Sequence, residues 1–452
     1  MLILHKYIFQ FLNDVCEQIK YKSTHGHISE ELQCHIGKLA DKYIENGMDE
    51  NEAVKKAVKQ MGDPVDIGRK LDKIHRPKTE WSIISLIGVM ISIGGIVLFS
   101  IASDGFLMIG SHQLIRYAIY ILLGIGICVF FYFFDYTKLE KYSLHIFIGA
   151  IVFLFVSTKF GLKLNGIPYV KIGAFSFAVV PIALPLFFIL LSGIANKWAT
   201  GNIRHIFKLL GLAAIAAIFS CFIQPSVSVF MLLIAGFLVI ITIAIMGKTF
   251  KGNRKKFLLS IYGFLTTSFI LMLMNIIWRK PYIKARLLTF LNPGLDPDGE
   301  GYINVALVKL LSTAKLLGKN DNLYLNFEGV KTLALPEAST DFIFTYIISA
   351  FGWLAGIITV LIITLVVVRM FLATRRINHQ YGRCLAGSII TTFTIQAFAN
   401  ILMNLGPFPI TGFSLPLVSY GGTNFIMNMV LIGLLLGIYR RKDLVMAGKE
   451  CM

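Results

Sequence analysis

The chain has 452 residues, of which 56% are hydrophobic and only 15% charged, with a mean hydropathy of +0.71. This excludes an ordinary soluble domain and a disordered chain, and apolar runs long enough to cross ~30 Å of hydrocarbon identify a polytopic membrane protein. The net charge of +18 does not point to nucleic acid: residues 1–80 hold 13 basic and 13 acidic side chains, so the whole excess lies in the membrane part, where basic helix ends meet anionic lipid headgroups.

Residues 1–80 read as a small cytoplasmic helical domain. The opening "MLILHKYIFQFLND" is apolar but has no small-residue cleavage site, so it is not read as a signal peptide. "SEELQCHIGKLADKYIENG" places Leu32, Ile36, Leu39 and Tyr43 on one helical face and stops at Gly47. "DENEAVKKAVKQMG" opens with Asp49 and Glu52 at capping-box spacing and stops at Gly62, and Pro64 starts a third helix. "EEL", "QMGDP" and "IHRPK" resemble the prefix domain that precedes some bacterial permeases. His25, His27 and His35 have no Cys or carboxylate to complete a zinc site.

Ten apolar runs follow, near 81–103, 114–135, 142–160, 176–194, 205–222, 226–246, 257–278, 342–369, 386–406 and 424–439. The expected fold is therefore all-α with ten transmembrane helices over residues 81–445, an external loop at 279–341 between the seventh and eighth, and a cytoplasmic tail at 446–452. Orientation follows from the loop charges. Lys138, Lys141, Lys197, Arg204, the "GKTFKGNRKK" stretch, Arg375, Arg376, Arg383, Arg440 and Arg441 fall on one side, whereas loops 104–113, 223–225 and 407–423 carry no Lys or Arg. The positive-inside rule places both termini in the cytoplasm, in the cell membrane.

The loop of about sixty residues is longer than ordinary connections and carries both signs of charge. At its end, "ALPEASTDFIF" sets Asp341 at the mouth of a long uncharged run. Two readings are open: Asp341 caps the helix that begins there, or it is put to use at the membrane boundary. The second informative loop, "NLGPFPITGFSLPLVSYGGTN" at 404–424, has three prolines and four glycines and does not read as helix. Its amides, with Ser419, Tyr420 and Thr423, are suited to cradling phosphate oxygens.

Together "LPEASTDFIF", "GPFPITGFSLPLVSYGGTN" and "PYIKARLLTFLNP" followed by "DGEGY" resemble the SEDS family (shape, elongation, division and sporulation; FtsW, RodA and SpoVE-like) over roughly residues 81–445. The resemblance implies a peptidoglycan glycosyltransferase that polymerises lipid II at the outer membrane face, paired with a class B penicillin-binding transpeptidase. It implies that Asp341 is the general base, and that Arg286, assisted by Lys284, binds the diphosphate. Glu337 either orients the loop or helps a divalent cation, Mg or Mn, neutralise the leaving group; no organic cofactor is implied. Thr340, Ser419, Tyr420, Gly421 and Gly422 match motif positions that shape the substrate cavity, as do Pro336, Pro409, Gly412 and Pro416.

The chain also departs from that pattern. Ser349 and Ala350 stand where glutamates are usual, "SFAVVPIALP" replaces "QPSE", and Ser226 follows Gln224 and Pro225 where an aspartate is expected. Two alternatives therefore stay open: a lipid II flippase, and a catalytically weak scaffold of the wall-synthesis complex. Few ionisable groups lie inside the apolar runs, which weighs against coupled transport.

Overall fold

Amphipathic spacing folds the first 79 residues into four helices. In this computed structural model they are α1 (Leu2–Glu17), α2 (His25–Glu45), α3 (Glu50–Met61) and α4 (Pro64–Ile74). The structure describes the chain apart from positions 1, 75, 77, 104–106, 165–166, 174, 199–202, 224–225, 248–249, 251, 280–287, 298, 300, 328–329 and 443–452. Leu32 and Ile36 are buried with Phe11, Val15, Ile28 and Val54 in one core, and Leu39 and Tyr43 pack at its edge. The apolar opening stretch is thus a core helix. Asp49 is the N-cap of α3 and accepts from the Asn51 amide at 3.1 Å, and the helix closes at Gly62 with φ +98°. Asp72 accepts from the Lys20 backbone N–H at 3.0 Å and from Arg76 at 2.7 Å, and these bonds hold its carboxyl below the usual carboxylate range.

The chain separates into two units, one centred on Met1–Thr79 and the other on Glu80–Arg375 with Gln380–Ile438. The larger unit contains α5 (Trp81–Ser103), α6 (Leu107–Phe133), α7 (Thr137–Lys141), α8 (Ser143–Phe160), α9 (Val179–Trp198), α10 (Ile203–Ile223), α11 (Val227–Met246), α12 (Arg254–Arg279), α13 (Tyr302–Ser312), α14 (Ile343–Phe351), α15 (Trp353–Arg375), α16 (Gln380–Leu405) and α17 (Gly422–Arg440). Among the described residues eight are long and apolar enough to cross a membrane: α5, α6 from His112, α8, α9, α11 from Ser228, α15, α16 and α17. The chain is a multi-pass helical membrane protein. The count of ten is not reached on this measure; α10 and α12 lie at the other two expected positions. Helix α9 is buried along most of its length and packs with α11 and α16, which also pack along each other.

The fold is predominantly helical, as expected, with two small sheets added to it. Strands β1 (Leu162–Leu164), β2 (Ile167–Ile172) and β3 (Phe175–Ala178) form an antiparallel sheet, with Tyr169 opposite Leu162 on one side and Ala178 on the other. Strands β4 (Tyr324–Phe327) and β5 (Val330–Leu333) form a hairpin in the loop at 279–341. That loop also packs a small core against α16, in which Leu307 and Leu310 of α13 meet Ala334, Leu335, Phe342 and Met403.

One expectation needs correction: the run from 342 to 369 is not one helix. It breaks at Gly352, whose φ is +98°. The break is closed by the same loop: Gly318 N–H donates to Phe351 O, Asn320 N–H to Ser349 O, and Trp353 N–H to Lys315 O, at 3.2, 2.7 and 3.0 Å. Non-helical backbone is tolerated at such a depth only where protein satisfies it. A Cβ at Gly352 would lie 2.5 Å from Leu316 O and 2.7 Å from Leu317 Cα. Gly352→Ala is therefore expected to be destabilising, by about 1–3 kcal/mol from backbone conformation alone, and to lower the thermal unfolding midpoint of the detergent-solubilised protein.

Candidate functional site

The site forms where the end of the loop at 279–341 meets the proline- and glycine-rich segment before α17. Residues 335–342 make a series of turns, and Glu337 adopts the left-handed region with φ +54°. Its carbonyl accepts from the backbone of Thr340 at 3.0 Å and of Phe342 at 3.2 Å, and its Oε2 accepts from the Thr340 hydroxyl at 2.6 Å. The turn is thereby closed on itself. Asp341 follows, half-buried, immediately before Phe342, the N-cap residue of α14.

The capping reading of Asp341 is not what the structure shows: the N-cap residue of α14 is Phe342, and the Asp341 side chain makes no hydrogen bond to the first turn among the described residues. The Asp341 carbonyl is gripped instead. It accepts from Asn400 Nδ2 at 2.8 Å and from Asn404 Nδ2 at 3.0 Å, both fully buried on α16. Asn400 Nδ2 also donates to Phe413 O at 2.5 Å, so one amide nitrogen ties the two motif segments together. Asn404 Oδ1 accepts from the Thr345 amide at 3.0 Å and from its hydroxyl at 2.8 Å, which fixes the first turn of α14. No hydrogen bond from a described residue reaches the Asp341 carboxylate. Burial pushes its pKa up, with the negative charge of Glu337 adding to the effect, to about 6.

The proline-rich segment is pinned to the same turn. The Ser419 hydroxyl donates to Thr340 O at 2.7 Å and accepts from Leu415 N at 2.8 Å, and Tyr420 N–H donates to Ser339 O at 2.8 Å. Leu417 adopts φ +63°, and its carbonyl accepts from the Tyr117 hydroxyl at 3.2 Å. Gly421 O accepts the Phe425 amide and opens α17, and a Cβ at Gly422 would run into the Tyr120 ring. Ala178 N–H at the end of β3 donates to Thr423 Oγ1 at 3.0 Å. Ser419 and Thr423 thus spend their hydroxyls inside the protein.

The structure therefore brings together Glu337, Thr340, Asp341, Ser419 and Tyr420, with Gly421 and Gly422 at the start of the adjoining helix. Lys284 and Arg286 lie outside the described residues, as do Gln224, Pro225 and the tail at 446–452. Sequence reasoning missed Asn400 and Asn404. Their signal was present in "QAFANILMN", where Gln396, Asn400 and Asn404 recur every fourth residue on an otherwise apolar helix.

No group of three His, Cys, Asp or Glu among the described residues is placed to hold a metal ion. The Glu337 carboxylate is engaged by Thr340. The described side chains do not fit a resident divalent cation.

Comparison with known proteins agrees with this architecture. The family model FTSW_RODA_SPOVE, described as cell cycle protein, matches residues 80–444. A probable peptidoglycan glycosyltransferase FtsW of Idiomarina loihiensis is 29% identical over 342 residues, which cover 72% of this chain and 78% of that protein. The peptidoglycan glycosyltransferase RodA of Treponema pallidum is 28% identical over 201 residues, 44% of this chain and 46% of that one. Two solved structures share the fold. A chain of a peptidoglycan synthase complex that coordinates polymerization and crosslinking superposes with a TM-score of 0.64 at 19% identity, covering 80% of this chain and 98% of that one. The rod shape determining protein RodA of Thermus thermophilus superposes with 0.54 at 16% identity, covering 80% and 97%.

Proposed function

The chain belongs to the FtsW/RodA/SpoVE family of cell cycle proteins, and on that premise we propose that it is a peptidoglycan glycosyltransferase polymerising lipid II into glycan strands. The observation that carries the reading is Asp341: a half-buried carboxylate free of hydrogen bonds from the described residues, fixed by its own carbonyl where the two family motifs meet. Its pKa of about 6 leaves it mostly ionised at neutral pH yet basic enough to take a proton.

In the proposed reaction the 4-hydroxyl of one lipid II attacks the anomeric carbon of another. A new C–O glycosidic bond forms, the bond from that carbon to the diphosphate oxygen breaks, and the hydroxyl proton passes to Asp341. The undecaprenyl diphosphate departs with the bonding electrons. Arg286 and Lys284 are assigned to that diphosphate, because a guanidinium matches phosphate oxygens in bidentate fashion. Glu337 and Thr340 shape the turn that carries the base, and Ser419 and Tyr420, pinned to that turn, are assigned to substrate binding together with Gly421 and Gly422. A divalent cation, Mg or Mn, enters with the substrate diphosphate and belongs to the substrate.

The proposal places this chemistry at the outer face of the cytoplasmic membrane, with both termini inside and a class B penicillin-binding transpeptidase as partner. The test is polymerisation of lipid II by the purified protein, alone and with a transpeptidase, in the presence of a divalent cation. Glycan strands are the expected product. Translocation of labelled lipid II across vesicles without any polymer would overturn the enzyme reading in favour of a flippase.

A further inference from the structure

Behind the site lies a cavity of about 30 Å³ between α9, α11, α16 and α17, with Ser228, Gln396, Gly412, Ser414 and Asn424 among its walls. One water molecule needs roughly 10–15 Å³ of such space and two to four polar partners. The partners are present. Gln396 is 4% exposed and its Oε1 has no hydrogen-bond partner, while the Ser228 hydroxyl, equally buried, pairs only with Ser226 at 3.1 Å. Asn424 Nδ2 donates to Ser414 Oγ at 2.9 Å. An unpaired buried amide oxygen is costly in a dry core.

Gly412 joins this cavity to the site. A Cβ built on it would stand 3.5 Å from Ser228 Oγ and 4.0 Å from Asp341 Oδ2, so its bare face looks into the gap between the cavity wall and the carboxylate. We propose that the cavity is a buried hydration site: one or two water molecules seated on Gln396 and Ser228 reach past Gly412 and donate hydrogen bonds to Asp341 from inside the protein. Two separate deficits meet there, an orphaned amide oxygen and a carboxylate without a described donor, and bridging water satisfies both. One face of the carboxylate is then solvated by fixed water while the other remains open to the acceptor hydroxyl.

The inference rests on Asp341 being the base and deepens that assignment. Of the described groups, Glu337 on the same turn is the charged one that acts on the carboxylate, whereas Ser228, Gly412, Ser419, Asn400 and Asn404 approach from the other elements without charge.

Two variants remove the water in different ways. Gly412→Ala fills the gap at ordinary van der Waals distance, and Gln396→Leu removes the anchor while keeping the volume apolar. Polymerisation rate is measured against pH for wild type and both variants, with thermal unfolding as the check on folding. Both variants are expected to move the acidic limb about one pH unit upward, because a carboxylate deprived of donors ionises less readily, and in Gln396→Leu KM should change little. A limb that stays in place in either folded variant, whatever happens to the rate, overturns the hydration site. A wild type with no acidic limb, or Asp341→Asn at full rate, overturns the base assignment instead.

Discussion

Asp341→Asn is expected to reduce lipid II polymerisation by about 10²–10⁴-fold, the range that a positioned general base contributes. The amide keeps the size of the side chain and leaves the backbone carbonyl, held by Asn400 and Asn404, untouched. What it removes is the ability to take a proton. In the wild type the pKa of about 6, raised first by burial and then by Glu337, predicts an acidic limb: the rate falls about tenfold per pH unit below that value and is flat above it. Glu337→Gln deletes the like charge, so the limb should move to lower pH. Stability runs the other way. A carboxylate whose pKa is raised on folding binds its proton more tightly in the folded state, so the fold gains stability as pH drops from about 6 toward the ordinary carboxylate range and loses it as pH rises through 6. At neutral pH the ionised form therefore opposes folding. Asp341→Asn should unfold at or above the wild-type temperature while making essentially no polymer. Undiminished polymer from the variant would remove the base from Asp341, and a lowered unfolding midpoint would show that the loss of rate is structural.

The multi-pass helical class was legible in the chain because hydrophobic runs report on the bilayer directly. The helical faces of residues 1–79 and the non-helical reading of 404–424 rest on periodicity and on proline and glycine, which act locally. The break at Gly352 was not legible, since "SAFGWLAG" is apolar throughout and one glycine is tolerated in a membrane helix. Its left-handed backbone is stabilised by Leu316, Gly318 and Asn320, more than thirty residues away. The small sheets were hidden for a similar reason, as β1 to β3 are short and merge into the apolar helices on either side. Asp341 stood out as a charge before an uncharged run, yet the grip on its carbonyl could not be read from its own neighbours. Asn400 and Asn404 lie some sixty residues on, and only packing of α16 against the turn turns two polar residues in a helix into a clamp.

That clamp carries the second large effect. Asn400→Leu is expected to lower the turnover rate by about 10²-fold with a small change in KM, because the base would be displaced from the reacting hydroxyl rather than lost. Asn400 Nδ2 serves two carbonyls, Asp341 O at 2.8 Å and Phe413 O at 2.5 Å, so a leucine would leave one buried acceptor without its donor and separate the two motif segments. Each such orphan costs about 1–3 kcal/mol, and a lower unfolding midpoint should accompany the loss of rate. Asn400→Asp is a sharper test. It preserves shape but faces two carbonyl oxygens with a third acceptor, and it should do at least as much damage as leucine at neutral pH. Asn404→Ala should be milder toward Asp341, whose carbonyl keeps the Asn400 donor, and should act mainly on the start of α14 through Thr345. If Asn400 and Asn404 variants lost rate equally, the bridging of Asp341 to Phe413 would not be what positions the base. A ranking of Asn400 well above Asn404, with the acidic limb of the pH profile still present in both, is the pattern that a positioning residue produces and a general loss of folding does not.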